Sequence, residues 1–372
     1  VPTSADRLSL RELNRATLDR QLLLHRPAMP ARQAIEHLGG LQAQAPLAPY
    51  VGLWTRLAGF RHQELQHLLT ERAVVRAHLL RNTVHLLTAE DFLAFRPLFQ
   101  SVMERALTAH FGRNLTGVDP AEVREVASAL LTQTPLTRTE LGRRLAQRWP
   151  GHDPGSLAYA ATHLLQLVQV PPRGIWGSSG PSAWFLAAAW LAGTTMPPLT
   201  GRQATERLVL RYLAAYGPAS VNDIQAWSGL TRLREVTEGL GDRLRPFTGP
   251  DGGDLLDLPD APRPDGESTP APPRFLPEYD NLLLSFADRS RVIPHGRPVP
   301  LPPGNGASAG TLLVDGFWWA DWRITRGRDR AVLDVQPFTP VGGSLDAIAA
   351  EGHRLLEFAA PAAEHDVRFA QC

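Results

Sequence analysis

Residues Ala73-Val74-Val75-Arg76-Ala77-His78-Leu79-Leu80-Arg81-Asn82-Thr83-Val84-His85-Leu86-Leu87 hold two short β-rich runs, 73–80 and 83–87. Arg81-Asn82 between them is a two-residue turn candidate. Upstream, residues 8–24 have helical spacing, and a second helical stretch, 31–38, stops at Gly39-Gly40. An amphipathic region through Tyr50, Leu53, Trp54, Leu57 and Phe60 follows. Helices followed by a hairpin describe a winged helix.

The same grammar recurs twice. A helix from Leu130 leads to Thr137-Arg138-Thr139-Glu140, a capping box that starts another, and Asp153-Pro154 starts a third through Leu157, His163, Leu164 and Leu167. Residues 168–176 then read as strand and wing. In the next repeat, helices span 205–215 and 231–240, Ser220 and Asp223 flank the start of the one between, and 244–247 with 255–258 bracket a Gly/Asp turn. Residues 259–273, rich in Pro, Asp, Gly and Ser, read as a linker or exposed loop. Beyond it the periodicity turns β-like, with strands expected at 282–286, 311–314, 317–324 and 331–335, in a small barrel or curled sheet. A closing helix over 345–358 would carry Glu351, His353 and Arg354 on its polar side. The expected fold is α+β: winged-helix domains at 1–118, 119–200 and 201–262, a linker at 263–274, and a β-rich, barrel-like domain at 275–372.

Composition narrows the chemistry. The 372 residues exceed the size at which one core usually stops growing, and no apolar run is long enough for a membrane span. The opening Val1–Arg7 stretch lacks a basic segment followed by an apolar one, and Cys372 is the single cysteine. A cytoplasmic, nucleoid-associated protein without disulfides or a cysteine zinc site is the expectation. All 38 side-chain cations other than histidine are arginine. The absence of lysine excludes a Walker phosphate lysine, a pyridoxal Schiff base and a lysine that would trap an abasic sugar, leaving only the N-terminal amine for such a role. Net charge is +1, but residues 251–270 hold six acids against Arg263, which leaves 37 basic and 31 acidic residues elsewhere. Arginine can therefore concentrate on one face.

Gln42-Ala43-Gln44 follows the Gly39-Gly40 stop. In an extended segment, residues two apart share a face, so both amides can point toward one pocket. An amide offers an acceptor and two donors and can orient a water, but it cannot deprotonate one strongly. The residues alone leave open a plainer role, amides capping the glycine turn.

Several segments together resemble one family: 15–24, 39–46 (Gly-Gly-Leu-Gln-Ala-Gln-Ala-Pro), Leu53-Trp54-Thr55-Arg56-Leu57, 81–87 (Arg-Asn-Thr-Val-His-Leu-Leu), 277–284 (Pro-Glu-Tyr-Asp-Asn-Leu-Leu-Leu) and Leu313-Val314-Asp315-Gly316-Phe317. Over nearly its whole length the chain is similar to the AlkZ/YcaQ family of winged-helix DNA glycosylases, in the branch with Gln-apolar-Gln rather than Gln-apolar-Asp. The resemblance implies three tandem winged helices in a C-shaped arrangement, a C-terminal β-rich domain, and a monomer needing no metal or cofactor. It further implies Gln42 and Gln44 as catalytic residues and removal of N7-alkylated purines from double-stranded DNA. Unhooking of azinomycin-type interstrand crosslinks, in self-resistance or repair, would belong to the same activity.

The chemistry agrees with that implication. Alkylation at N7 makes the purine cationic, so it leaves without a general acid, and a positioned water with neutral dipoles can serve the oxocarbenium-like sugar. A bulky or crosslinked adduct also fits an open channel better than full base flipping. DNA contacts are expected from Arg81 and Arg173 at two wing tips, from Arg323, Arg326, Arg328 and Arg330 on a charged hairpin, and, through the resemblance, from His85. Each arginine could instead be a solvated turn residue and His85 a packed one. His37 reads as structural, Asp280 as scaffold, and at least two of Trp318, Trp319 and Trp322 as core. A non-enzymatic tandem winged-helix regulator and a genotoxin-sequestering protein are the alternatives.

Overall fold

Ser9 begins the first helix by a reciprocal cap: its hydroxyl accepts from the Glu12 N–H at 3.2 Å while the Glu12 carboxylate accepts from the Ser9 N–H at 2.7 Å. Helix Leu10–Arg20 follows. The computed structural model describes residues 6–195, 199–294, 297, 309–340 and 345–370. The same reciprocal cap starts Arg138–Leu145 from Thr137 and Glu140, and the Asp153 carboxylate starts Pro154–Leu164 by accepting from the Ser156 N–H at 2.7 Å, as the spacing predicts.

Contacts group this α+β chain into two units, each discontinuous in sequence. The first comprises Val1–Arg61, Val209–Trp227 and Leu233–Cys372; the second comprises His62–Leu208 and Ser228–Arg232.

In the first unit, a five-stranded sheet runs in the order Glu364–Phe369, Arg330–Pro337, Phe317–Arg326, Gly310–Val314, Arg274–Leu276. All neighbours are antiparallel except the first pair, which is parallel and takes helix Leu345–Ala359 as its crossover. Alternation along the strands gives the sheet two apolar faces. Phe275, Leu312, Ala320, Trp322, Leu333 and Val335 meet Ile348, Leu355 and Leu356 of that helix. Leu276 and Leu313 face the other way, toward Leu18, Leu23, Leu24 and Leu282. A bulge between Leu312 and Leu313 sets Leu313 opposite Trp318, which joins this second cluster although Ala320 and Trp322 belong to the first.

Three expectations change here. Among the described residues the sheet is open rather than barrel-like, with strands Glu364–Phe369 and Arg274–Leu276 at its edges. The apolar run 282–286 is not a strand: the Asp280 carboxylate accepts from the Leu282 N–H at 3.0 Å and winds Asn281–Leu283 into a 3-10 turn. Glu351 lies inward, fully buried, with ion pairs to Arg26 and Arg354 and Arg274 at 3.8 Å, while His353 and Arg354 stay exposed. The stretch at 259–273 has no regular structure, yet it is tied down. Arg11 holds the Gly266 carbonyl at 2.9 Å and Arg15 holds that of Thr269 at 2.8 Å.

In the second unit, Val74–His78 and Val84–Thr88 pair antiparallel as a hairpin. Arg81 and Asn82 have φ of 51° and 58°, and the Thr83 N–H returns to the Leu80 carbonyl at 3.0 Å, the mirror-image turn that suits strand twist. Strand order continues from Val74–His78 to Leu167–Val170, Ala183–Leu186 and Leu136–Thr137. Thus the first two expected wings share one sheet, cored by Val75, Ala77, Phe92, Val168 and Val170. Beneath the turn, Asn82 Nδ2 donates to His163 Nε2 at 2.9 Å and His163 Nδ1 donates to the Tyr159 carbonyl at 2.9 Å. That arrangement requires neutral imidazole. Burial lowers His163 to about 4 and, reinforced by His163 itself, lowers His78 to about 3.

Folded-state values below the ordinary 6.5 mean that these histidines stabilise the fold fully above pH 6.5 and lose that contribution as pH falls toward 4. Chemical denaturation from pH 7 to 4.5 should show stability dropping by up to about 1.4 kcal/mol per pH unit per histidine. His163→Gln should flatten that slope.

Candidate active site

Helix Ala31–His37 is closed by the Gly40 N–H bonding back to the Ile35 carbonyl at 3.0 Å, with Gly39 and Gly40 at φ of 68° and 94°. Only glycine adopts that pair of conformations freely. The turn packs against its neighbours: a Cβ on Gly39 would stand in ordinary contact, 3.4 Å from the Trp227 ring and 3.5 Å from Arg211 Cγ, so it is the backbone conformation that calls for glycine. Arg211 is held there by the Glu36 carbonyl at 2.7 Å and the Glu36 carboxylate at 3.0 Å.

The chain leaves this turn as the two-residue strand Leu41–Gln42. Gln42 is 7% exposed, Ala43 is fully buried and Gln44 is half-buried. The motif therefore runs from buried to half-buried. Helix Ala48–Trp54 follows at once.

A buried ion pair stands behind both flanks. Arg56 Nη1 and Nη2 donate to the two Asp280 carboxylate oxygens at 2.9 and 2.8 Å, with both side chains 1% exposed. Arg56 Nη1 also donates to the Gly52 carbonyl at 3.0 Å, and Nη2 to Gln21 Oε1 at 3.3 Å. Gln21 Nε2 continues to the Ala215 carbonyl at 2.8 Å. Beside Asp280, Asn281 Nδ2 donates to the Gly40 carbonyl at 3.3 Å. Burial raises the Glu278 carboxyl in the same segment above its ordinary value. His37 Nε2 donates to the Arg20 carbonyl at 2.7 Å, finishing helix Leu10–Arg20, so its role is structural.

The remaining sequence-expected positions fall in different settings. Arg81 occupies the hairpin turn, half-buried, and His85 is fully buried with Nδ1 on the Thr83 carbonyl at 3.0 Å. Arg173 is folded into its own loop, donating to the Gly180 carbonyl at 2.8 Å. On the C-terminal hairpin, Arg323, Arg326, Arg328 and Arg330 are all exposed; Arg326 donates to the Ala359 carbonyl at 3.1 Å, and Arg330 pairs with Asp366 at 2.6 Å. Trp318 and Trp322 are core residues and Trp319 is half-buried, as the strand pattern suggests. Among the described residues, no group of three His, Cys, Asp or Glu side chains is placed to hold a metal, and no helix is long and apolar enough to cross a membrane.

The family model for AlkZ-like DNA glycosylases matches residues 35–358, a span that includes the Gln-Ala-Gln turn, the Arg56–Asp280 pair and the C-terminal hairpin. The chain belongs to the AlkZ-like DNA glycosylase family. It is accordingly an enzyme acting on DNA. The AlkZ-like fold is also that of the Streptomyces sahachiroi DNA glycosylase AlkZ, with 20% identity, 98% of this chain and 100% of that chain covered, and a TM-score of 0.73. No curated protein matches the sequence. The AlkZ-like chain also holds site residues to which sequence reasoning assigned no part: Arg56, Asn281, Arg211 and Trp227. The first two lie in the segments that carry the resemblance, and their polar character in apolar surroundings was the available signal.

Asp280→Asn keeps the shape of the side chain but leaves Arg56 charged and buried without a counterion. Urea unfolding should show a loss of about 3–5 kcal/mol.

Proposed function

We propose that the chain is a monofunctional DNA glycosylase that hydrolyses the N-glycosidic bond of bulky N7-alkylated purines in double-stranded DNA, with Gln42 and Gln44 placing the attacking water. The placement of those amides carries the reading: one enclosed and one partly open, on a segment held from both sides. Amides suffice for this chemistry. The N7-alkylpurine is already cationic, becomes neutral as the bond breaks, and leaves without proton donation. What remains is to hold a water near C1′ and to face the developing sugar cation with carbonyl dipoles. With no lysine in the chain, no ε-amine is present to form a Schiff base with the sugar, which supports a reaction that ends at a free base and an abasic site.

The same reading takes the hairpins Val74–His78 with Val84–Thr88, Leu167–Val170 with Ala183–Leu186, and Arg245–Thr248 with Asp254–Asp257 as wings of three winged helices on the duplex. A monomer is the proposed state. Arg323, Arg326, Arg328 and Arg330, all exposed on the C-terminal hairpin, are its proposed phosphate contacts. Interstrand crosslinks joined through purine N7 carry the same cationic leaving group, and unhooking them is the corresponding activity in self-resistance or repair.

Release of free base from a duplex carrying a single bulky N7-alkylguanine should fall at least about 100-fold in Gln42→Ala and in Gln44→Ala, with duplex affinity retained. Tight DNA binding without base release by the native chain would instead leave a non-enzymatic DNA-binding protein. For the hairpin, Arg323→Ala and Arg328→Ala should each lower the slope of log K against log salt by about 0.9. Slopes unchanged in both would remove the hairpin from the DNA contact.

A further inference from the structure

A pair of amides places a water only if the backbone beneath them is held to a fraction of an ångström. Gln42 ends a two-residue strand, and Gln44 lies beyond it, four residues before helix Ala48–Trp54 begins. Contacts on both flanks add to what holds the segment. Upstream, the carbonyl of Gly40, two residues before Gln42, takes the Asn281 Nδ2–H at 3.3 Å in a buried position. Downstream, the carbonyl of Gly52 takes Arg56 Nη1 at 3.0 Å. Asn281 and Arg56 belong to one assembly, because Arg56 grips Asp280 through both carboxylate oxygens and Asp280 is bonded in sequence to Asn281.

Asn281 is in turn fixed from behind. Its carbonyl accepts from Ser285 Oγ at 2.5 Å, and the Ser285 carbonyl accepts from the Tyr212 hydroxyl at 2.8 Å. Because glycine has no side chain to restrict its dihedrals, the Gly40–Leu41 peptide plane can rotate unless an outside group holds its oxygen. A rotation there would redirect the Gln42 side chain while leaving the helices on either side intact.

We infer that Asn281 is a positioning residue of the active site, acting through the Gly40 carbonyl on Gln42, and that the Arg56–Asp280 pair joins the two flanks of the motif into one rigid support. The inference rests on the reading of Gln42 as a water-placing residue. The effect of Asn281 is on the chemical step, through the Gly40 carbonyl.

The test uses the full chain and single-turnover base release from a duplex with one bulky N7-alkylguanine, with duplex affinity and melting temperature measured alongside. Asn281→Ala should slow release at least about 10-fold with affinity within about twofold, since misplacement of a reacting group is costly in rate. Asn281→Asp, equal in size but unable as a carboxylate to donate to Gly40, should be slowed similarly; this second variant serves if the alanine variant does not fold. In a Gln42→Ala background the same changes should cost nothing further. A wild-type rate in the two Asn281 variants, or an equal fractional loss with and without Gln42, would overturn the inference, the latter marking a purely structural role. Gln42→Ala releasing base as fast as the native chain would overturn the underlying reading, whereas a slow Gln42→Ala beside a fast Asn281→Ala overturns only the positioning role.

Discussion

The Arg56–Asp280 ion pair is the constraint on which the rest of the site depends. Two opposite charges withdrawn from water need further hydrogen bonds, and here both Arg56 terminal nitrogens and the Asp280 carboxylate find them, while Arg56 Nε stays without a partner among the described residues. The guanidinium reaches Gly52 and Gln21, and the carboxylate caps the turn Asn281–Leu283. A hydrophobic pair of the same volume could fill the space, but it would hold neither carbonyl nor turn. Whatever the pair contributes to stability, its geometry decides where the chain enters and leaves the Gln-Ala-Gln segment.

Arginine plays this part throughout the first unit. Arg20 forks onto the fully buried Asp257 at 2.6 and 2.8 Å and also takes the Leu213 carbonyl at 2.9 Å. Arg291 bonds the Pro218 carbonyl at 2.7 Å and lies 4.2 Å over the Phe286 ring. Arg274 holds the Leu23 carbonyl at 2.7 Å beside Glu351, and although burial lowers it to about 10, it stays charged at neutral pH. A planar group with five donors can satisfy several distant carbonyls at once, which an ammonium on a flexible stem does poorly. In a chain without lysine, the cations thus serve as internal cross-braces between segments hundreds of residues apart, and fewer of them remain for DNA than the composition suggests.

What could be read in the sequence was what is decided locally. Ser9 with Glu12, Thr137 with Glu140, and Asp153 with Pro154 set helix starts within four residues, and Arg81-Asn82 sets a hairpin turn. Where the decisive partner is remote, local pattern misleads. Glu351 has the helical phase of a surface residue, but Arg26 and Arg274 draw it inside. Residues 282–286 have the apolar density of a strand, but one carboxylate at Asp280 winds their start into a turn. The motif itself was legible as a pair of amides after a glycine stop. Its support was not, because Trp227, Arg211 and Asn281 reach it from sequence positions that nothing in the local pattern connects to it.

In the proposed reaction two neutral amides hold the water that attacks the sugar. The most direct measurement is a crystal structure of the chain on a duplex with a cationic ring-nitrogen abasic analogue in place of the damaged nucleotide, which mimics the charge of the departing sugar. The expected complex has a water bonded to both Gln42 and Gln44, about 3 Å from the ring position corresponding to C1′. A complex in which the cationic ring sits elsewhere, with neither glutamine facing it, would contradict that reaction.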